Sequence, residues 1–251
     1  MTVKAAPRRP CRTPGPFACI VATPNDDALR TCAIFGCGRP PQARAGRGLS
    51  LTHCRYHVQK RNRHGSFWKG TYSAAELRDY RRAAERYLKA HADDFWIAAA
   101  LTALRATLDG AGPNERVVDV LHFAPPHKAR AAFARMRERN VPPLRLLTVH
   151  LAVSGAVLED PIRPGDDGSE YRLTQIGKAV MRTASGYHSY YGPGNQYDRY
   201  PRSSGRALRL IGWMMESACE HVMTEHLAAI LTFKAEQYGA RDMTVRVGKG
   251  V

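Results

Sequence analysis

Apolar residues recur at intervals of three and four along most of the chain, which is the spacing of helices with one buried face. Ser73 and Glu76 have the separation of a capping box, so a first long helix is expected from there to about Ala92. Asp93 and Asp94 can cap the next helix. Its core face is predicted at Phe95, Ala98, Leu101, Leu104 and Leu108.

The same spacing predicts helices at 128–139, 171–184 and 205–238, with an apolar run at 144–158. Residues 159–171 are acidic and rich in Gly and Pro, which predicts an exposed loop. Residues 185–204 are rich in Tyr, Gly and Arg and are expected to be irregular. The order of these helices allows a helix-turn-helix-like unit ending in 171–184, although an ordinary helical bundle gives the same pattern.

The positive charge of the chain is concentrated near its N-terminus. The net charge is +16, and residues 1–70 carry 13 Lys/Arg against two acids, whereas residues 71–170 carry 14 of each sign. A polyanion attracts such a segment and releases counterions on binding, so DNA is the expected partner, with RNA as the alternative. An anionic membrane surface would suit the charge equally well, but this part of the chain has no Lys/Arg-rich amphipathic helix with an aromatic face. No segment approaches the ~20 apolar residues of a membrane span either, so no membrane partner is expected. A cytoplasmic, nucleoid-associated location follows from this interpretation.

Candidate metal chemistry lies in the stretch from 31 to 65, which is rich in Gly and Arg and has almost no aliphatic residues. It contains Cys32-x4-Cys37 followed by Cys54-x2-His57. Zinc favours four tetrahedral thiolate and imidazole ligands, and two closely spaced pairs can supply them. We therefore expect these four residues to hold Zn²⁺, with Cys54 and His57 on one face of a helix opening near Thr52. The competing interpretation is free thiols and a surface histidine, and the alternative ligands are His53 and His64.

The run CAIFGCGRPPQARAGRGLSLTHCRYHVQKRNRHGS resembles the small zinc motif at the start of many phage and mobile-element proteins, HNH-type homing endonucleases among them. The resemblance covers residues 32–66. It implies zinc ligation by both pairs and a helix approaching DNA with Lys60, Arg61 and Arg63. The linker between the pairs is longer than in the family. Nothing in the chain resembles the nuclease part, so the resemblance implies DNA binding in a mobile-element setting without cleavage.

These observations predict a mainly α fold with three segments: a flexible basic arm (1–30), a small zinc-binding module (31–70) and a helical domain (71–251). Nucleic-acid contacts are expected in the module and in the Tyr/Arg-rich segment 186–206, where aromatic and basic residues alternate. The candidate contacts are Arg39, Arg44, Arg47, Arg55, Gln59, Lys60, Arg61, Arg63, Tyr190, Arg199, Arg202 and Arg206.

The expected function is that of a zinc-dependent DNA-binding accessory or regulatory protein of a phage, plasmid or integrative element. No catalytic residue is assigned, and a binding protein is favoured over an enzyme. One alternative is a nuclease or recombinase-like enzyme using the Tyr/Arg segment or the acidic loop, whose clustered carboxylates suit a divalent cation. Another is an assembly protein that bridges DNA and a recombinase or replication protein.

Overall fold

The computed structural model describes residues 31–41, 50–163, 165–184, 187–190, 196–199 and 203–239. The predicted basic arm lies outside these residues. The mainly α fold class is confirmed. The helices are α1 (Arg55–His64), α2 (Arg78–Ala90), α3 (Phe95–Asp109), α4 (Val117–Val120), α5 (Pro125–Glu138), α6 (Pro143–Leu158), α7 (Gly168–Met181) and α8 (Gly205–Tyr238), with a 3-10 turn at Arg182–Ala184.

Helix α6 forms the centre of the helical body, by which we mean the described residues from 71 onward. Every residue from 146 to 156 is buried, which explains the apolar run as a helix that is covered all round. Helices α2, α3, α7 and α8 pack against it. Helix α8 has the predicted bounds, and its buried residues include Ile211, Met215, Val222 and Ile230. The core is therefore one helix surrounded by others.

Helices α7 and α8 approach each other closely through two glycines. A Cβ atom at Gly177 would lie 2.1 Å from the carbonyl oxygen of Leu208, and one at Gly212 would lie 2.1 Å from that of Leu173. Any side chain at either position would collide with the backbone of the partner helix. The absence of a Cβ at both positions sets the distance between α7 and α8.

Three helix starts beyond residue 70 differ from the sequence prediction. One of them is α7, which begins at Gly168 and not at residue 171, because the Asp167 carboxylate caps it. Ser73 and Glu76 form the capping-box hydrogen bonds, but α2 begins only at Arg78, after a turn. Helix α5 begins at Pro125, earlier than predicted, because proline fits the first turn of a helix.

The predicted cap of α3 is confirmed, whereas its predicted core face is partly wrong. The Asp94 carboxylate accepts hydrogen bonds from the backbone N–H groups of Trp96 and Ile97, and Gly110 is the C-cap. Phe95 is 71 % exposed and Ala98 is exposed as well. The residues that α3 buries are Ile97, Ala100, Leu104 and Leu108. This face is rotated from the predicted one because α3 packs on three helices, α5, α6 and α8, whose positions the local pattern does not give.

The segment 185–204 is not irregular throughout. Strands β1 (Tyr187–Tyr190) and β2 (Gln196–Arg199) pair antiparallel, with Tyr187 opposite Arg199 and Tyr190 opposite Gln196. Its Tyr-rich composition is typical of strands.

The predicted helix-turn-helix-like unit has no free recognition helix. Along α7 only Ser169 is exposed, because α6 and α8 cover the helix on two sides and α1 contacts it as well. Its basic side chains are engaged: Arg172 pairs with Glu216, and Lys178 contacts His64. A groove of DNA therefore cannot receive this helix. No helix among the described residues is long and apolar enough to cross a membrane.

Candidate metal centre

The four predicted ligands come together at the N-terminal end of α1. The ligand atoms of Cys32, Cys37, Cys54 and His57 all lie within 4.8 Å of one another. His57 Nδ1 is 3.3 Å from the sulfur of Cys32 and 3.4 Å from that of Cys54, and the sulfurs of Cys37 and Cys54 are 3.9 Å apart. A tetrahedral ion with bonds of about 2.3 Å to sulfur and about 2.1 Å to nitrogen has ligand–ligand edges of about 3.8 and 3.6 Å. The cluster fits one such ion.

Helix α1 positions the second pair of ligands. The helix begins at Arg55, not near Thr52, and Cys54 is its N-cap in extended conformation. His57 lies in the first turn, so both side chains point to the same end of the helix. The backbone N–H of Cys54 also donates to the sulfur of Cys32 at 3.3 Å.

A tight loop, which we call the knuckle (residues 32–39), positions the first pair. The Cys32 N–H donates to the carbonyl of Arg39, and the Cys37 N–H donates to the carbonyl of Ile34, both at 2.9 Å. Gly36 has φ +76°, which an L side chain rarely adopts. The turn at Gly36 brings Cys37 back toward Cys32.

The surroundings of Cys54 and His57 favour their metal-binding protonation states, whereas burial raises the pKa of the Cys37 thiol. Burial raises the pKa of the Cys54 thiol, but the backbone N–H groups of His57 and Tyr56 and the neighbouring thiols outweigh it, so the net shift is downward. Burial, followed by the charges of Lys60 and Arg39, lowers the pKa of His57. Its imidazole is thereby kept neutral, as a metal ligand must be.

The module has a small apolar core of its own, although its sequence contains almost no aliphatic residues. Ile34 and Phe67 are buried with Cys32 and Cys54, and Trp68 packs against them. This core excludes the first alternative ligand. His53 stacks on Phe67 with ring centroids 3.9 Å apart instead of joining the cluster.

The second alternative ligand lies at the contact between module and body. His64 Nδ1 is 2.9 Å from the Thr71 hydroxyl and 2.7 Å from Lys178 Nζ. Gln175 donates to the carbonyl of His64 at 2.9 Å, and the Tyr171 hydroxyl donates to the carbonyl of Gly70 at 3.0 Å. His64 therefore helps to attach α1 to α7.

The acidic loop is largely exposed, as predicted, at residues 161–163, 165 and 167. Its carboxylates are engaged in contacts, and among the described residues they do not form a metal-binding cluster. Asp166 accepts hydrogen bonds from the Ser66 hydroxyl and from the Phe67 N–H. Asp160 accepts from the Tyr72 hydroxyl at 2.8 Å and pairs with Lys69 at 3.2 Å, and Asp167 caps α7. The loop joins the module to the helical body.

Apart from Lys60, the predicted DNA-contact residues of α1 divide into two groups. Arg55, Gln59 and Arg63 are exposed, and they follow one another at i, i+4 and i+8 on one face. Arg61 is different, because its guanidinium is 2.8 Å from the carboxylate of Glu170. Glu170 also pairs with Arg209 at 3.0 Å, so this carboxylate links α1, α7 and α8. The Arg61 guanidinium is therefore engaged in an ion pair within the fold, and Arg61 is not proposed as a DNA contact.

Two further basic residues lie beside an exposed tyrosine. The Arg39 guanidinium is 4.9 Å from the centre of the Tyr56 ring, and Lys60 Nζ is 6.0 Å from it. Arg39 is exposed and Lys60 is half-buried. Both cations therefore stay at the surface around Tyr56.

The remaining predicted contacts are less completely described. Arg44, Arg47 and Arg202 lie outside the described residues, and Tyr190 and Arg199 are placed only as positions in β1 and β2. Arg206 is exposed in the first turn of α8, next to α1, since a Cβ at Gly205 would lie 1.7 Å from the carbonyl oxygen of Asn62. The structure thus brings Arg206 beside the C-terminal end of α1.

One exposed residue of the module was missed by sequence reasoning. Phe35, in the knuckle, is 94 % exposed, while the adjacent Ile34 is 7 % exposed. Two adjacent apolar residues in a short, tightly turned loop cannot both face the small core. The sequence therefore indicated that one of the two residues, Ile34 or Phe35, would be exposed, but not which one.

Comparison with protein families, curated proteins and solved structures gives no match. The site itself is therefore the basis for the proposed function.

Proposed function

We propose that this chain binds DNA through the outer face of α1, in a module whose Cys/His cluster holds Zn²⁺. The observation that carries the proposal is an excess of positive charge in the module together with an exposed basic face on α1. Residues 31–70 contain eight Lys/Arg and no Asp or Glu, and Arg55, Gln59 and Arg63 form one exposed face of α1. A helix face of this kind, without acids beside it in the module, attracts the phosphate backbone.

Zinc is the proposed ion because of the donor set. Three thiolates and one imidazole in tetrahedral arrangement suit zinc, whereas magnesium and calcium require oxygen ligands. With all four positions supplied by protein, the ion has a structural role and leaves no site for a reacting water. The apolar core of the module contains few residues, so metal binding contributes much of its folding free energy.

The two kinds of exposed side chain have different tasks on DNA. Arg55 and Arg63 contact phosphates, which sets the position of α1 along the duplex, and Gln59 between them can reach a base edge. The accessory or regulatory role in a phage, plasmid or integrative element, and a nucleoid location, belong to the same proposal and rest on the motif resemblance.

The deciding experiment measures duplex affinity by fluorescence anisotropy over a series of salt concentrations. The Arg55→Ala/Arg63→Ala variant is compared with Arg105→Ala/Arg130→Ala, which removes the same charge from exposed positions on α3 and α5. If both α1 arginines contact phosphates, the slope of log K against log salt falls by about 0.9 for each. The control keeps the wild-type slope.

Two results would overturn the proposal. Equal weakening by both double variants would mean that net charge, not α1, drives binding. Unchanged duplex affinity after removal of the metal by a chelator would mean that the module is not the DNA-binding element.

A further inference from the structure

The knuckle presents a large aromatic side chain to solvent from a tightly turned backbone. Phe35 is 94 % exposed, between Ile34, which is buried in the module core, and Gly36, whose positive φ turns the chain. Cys32 and Cys37 on either side belong to the Cys/His cluster. An exposed phenyl ring contributes little to folding, because it stays in water. It is available for a ligand.

A second exposed aromatic side chain lies beside residues of the same cluster. Tyr56 lies between Cys54 and His57 in sequence and is 52 % exposed. Arg39 and Lys60 lie over or beside its ring, at 4.9 and 6.0 Å from the ring centre. Around one metal centre, the module therefore displays two aromatic rings together with two cations.

The chemistry of this surface selects its ligand. The cations require a negatively charged partner, and the absence of acids from residues 31–70 leaves the positive potential uncompensated within the module. The aromatic rings require flat faces on which to stack. A duplex hides its base faces in the helical stack, whereas a single strand offers both phosphates and base faces.

We propose that Phe35 and Tyr56 stack on unpaired bases of a single strand, while Arg39 and Lys60 contact its phosphates. This inference rests on the proposed nucleic-acid function and adds to it a second mode of binding, to single-stranded regions beside a duplex. The outer face of α1 contacts the duplex, and the knuckle engages the unpaired strand.

The test uses the full chain with its metal and two probes, labelled oligothymidylate and a labelled duplex of equal length. Phe35→Ala is expected to lower the affinity for oligothymidylate by about fivefold or more, which is the lower range for one base–aromatic stack. Its duplex affinity stays at the wild-type value. Phe35→Trp restores strand binding, since the larger ring also stacks. The metal content of both variants confirms that the knuckle is intact.

The matched control is Leu51→Ala, which removes another exposed apolar side chain of the module, one without a ring. It is expected to leave both affinities unchanged. The inference is overturned if Phe35→Ala binds oligothymidylate as the wild type does. It is also overturned if Phe35→Leu restores binding as well as Phe35→Trp, since the contact would then be merely apolar. If the wild type binds neither probe, the proposed function fails as well.

Discussion

The backbone N–H of Phe67 donates a 2.8 Å hydrogen bond to the carboxylate of Asp166, 99 residues further along the chain. The hydroxyl of Ser66, a fully buried residue, donates to the same carboxylate. One acidic side chain in the loop before α7 thus satisfies two polar groups of the metal module. The loop is a structural joint between the module and the helical body.

Replacing Asp166 tests this joint. Asp166→Ala leaves the Ser66 hydroxyl and the Phe67 N–H without their acceptor, and an unpaired buried donor costs about 1–3 kcal/mol. We expect a lower free energy of unfolding by urea denaturation. Glu225→Ala removes an exposed carboxylate from α8 and should have little effect. Equal stability of the two variants would contradict the assignment.

Removing one ligand should abolish metal binding. Cys54→Ala leaves two thiols and one imidazole, and it also removes the N-cap residue of α1 from the cluster. We expect loss of the bound ion in native mass spectrometry and faster amide exchange in α1, with the helical body still folded. Cys219→Ala, a buried thiol in α8 outside the cluster, should keep the ion. A Cys54→Ala protein with full metal content would show that the cluster is not the binding site.

The close contact of α7 and α8 predicts an unusual effect of alanine. In an exposed helix, Gly→Ala stabilises by up to about 1 kcal/mol. At Gly212 the new Cβ would meet the Leu173 carbonyl at 2.1 Å, so we expect destabilisation by about 1–3 kcal/mol or more. In a domain of this size each kcal/mol lowers Tm by roughly 2–4 °C. Gly70→Ala, where no atom lies within 4 Å of the added Cβ, is the control. A higher Tm for Gly212→Ala would refute the packing.

Acid should weaken the attachment of the module through His64. Burial, and then the charge of Lys178, lowers the pKa of His64 to about 4, against 6.5 for the unfolded chain. Between these values the unfolded state binds more protons, so the free energy of unfolding falls as the pH decreases from about 6.5 to about 4. His64→Gln should flatten this dependence in urea titrations.

Some acid sensitivity should persist in that variant. His150 is fully buried in α6, and burial lowers its pKa to about 3, so it contributes to the same range. His122→Gln, at an exposed position, should retain the wild-type dependence. If His64→Gln retains it too, the titration of His64 is not coupled to folding.

Local spacing was sufficient to predict the mainly α fold, the bounds of α8, the Asp94 cap and the four members of the cluster. Each of these depends on residues within a few positions of one another or on the ligand preferences of a metal. The backbone geometry of a helix or a tight loop fixes such relationships wherever the segment lies in the fold.

The partners of the remaining side chains were decided by the tertiary structure. The sequence could not show that Asp166 accepts from Phe67, that Arg61 pairs with Glu170, or that α7 is covered on its basic side. The same holds for Ile34 and Phe35, adjacent apolar residues of which only one is buried. These outcomes depend on which surfaces meet in the folded chain, and the Asp166–Phe67 pair is separated by 99 residues. Packing, rather than local pattern, determines them.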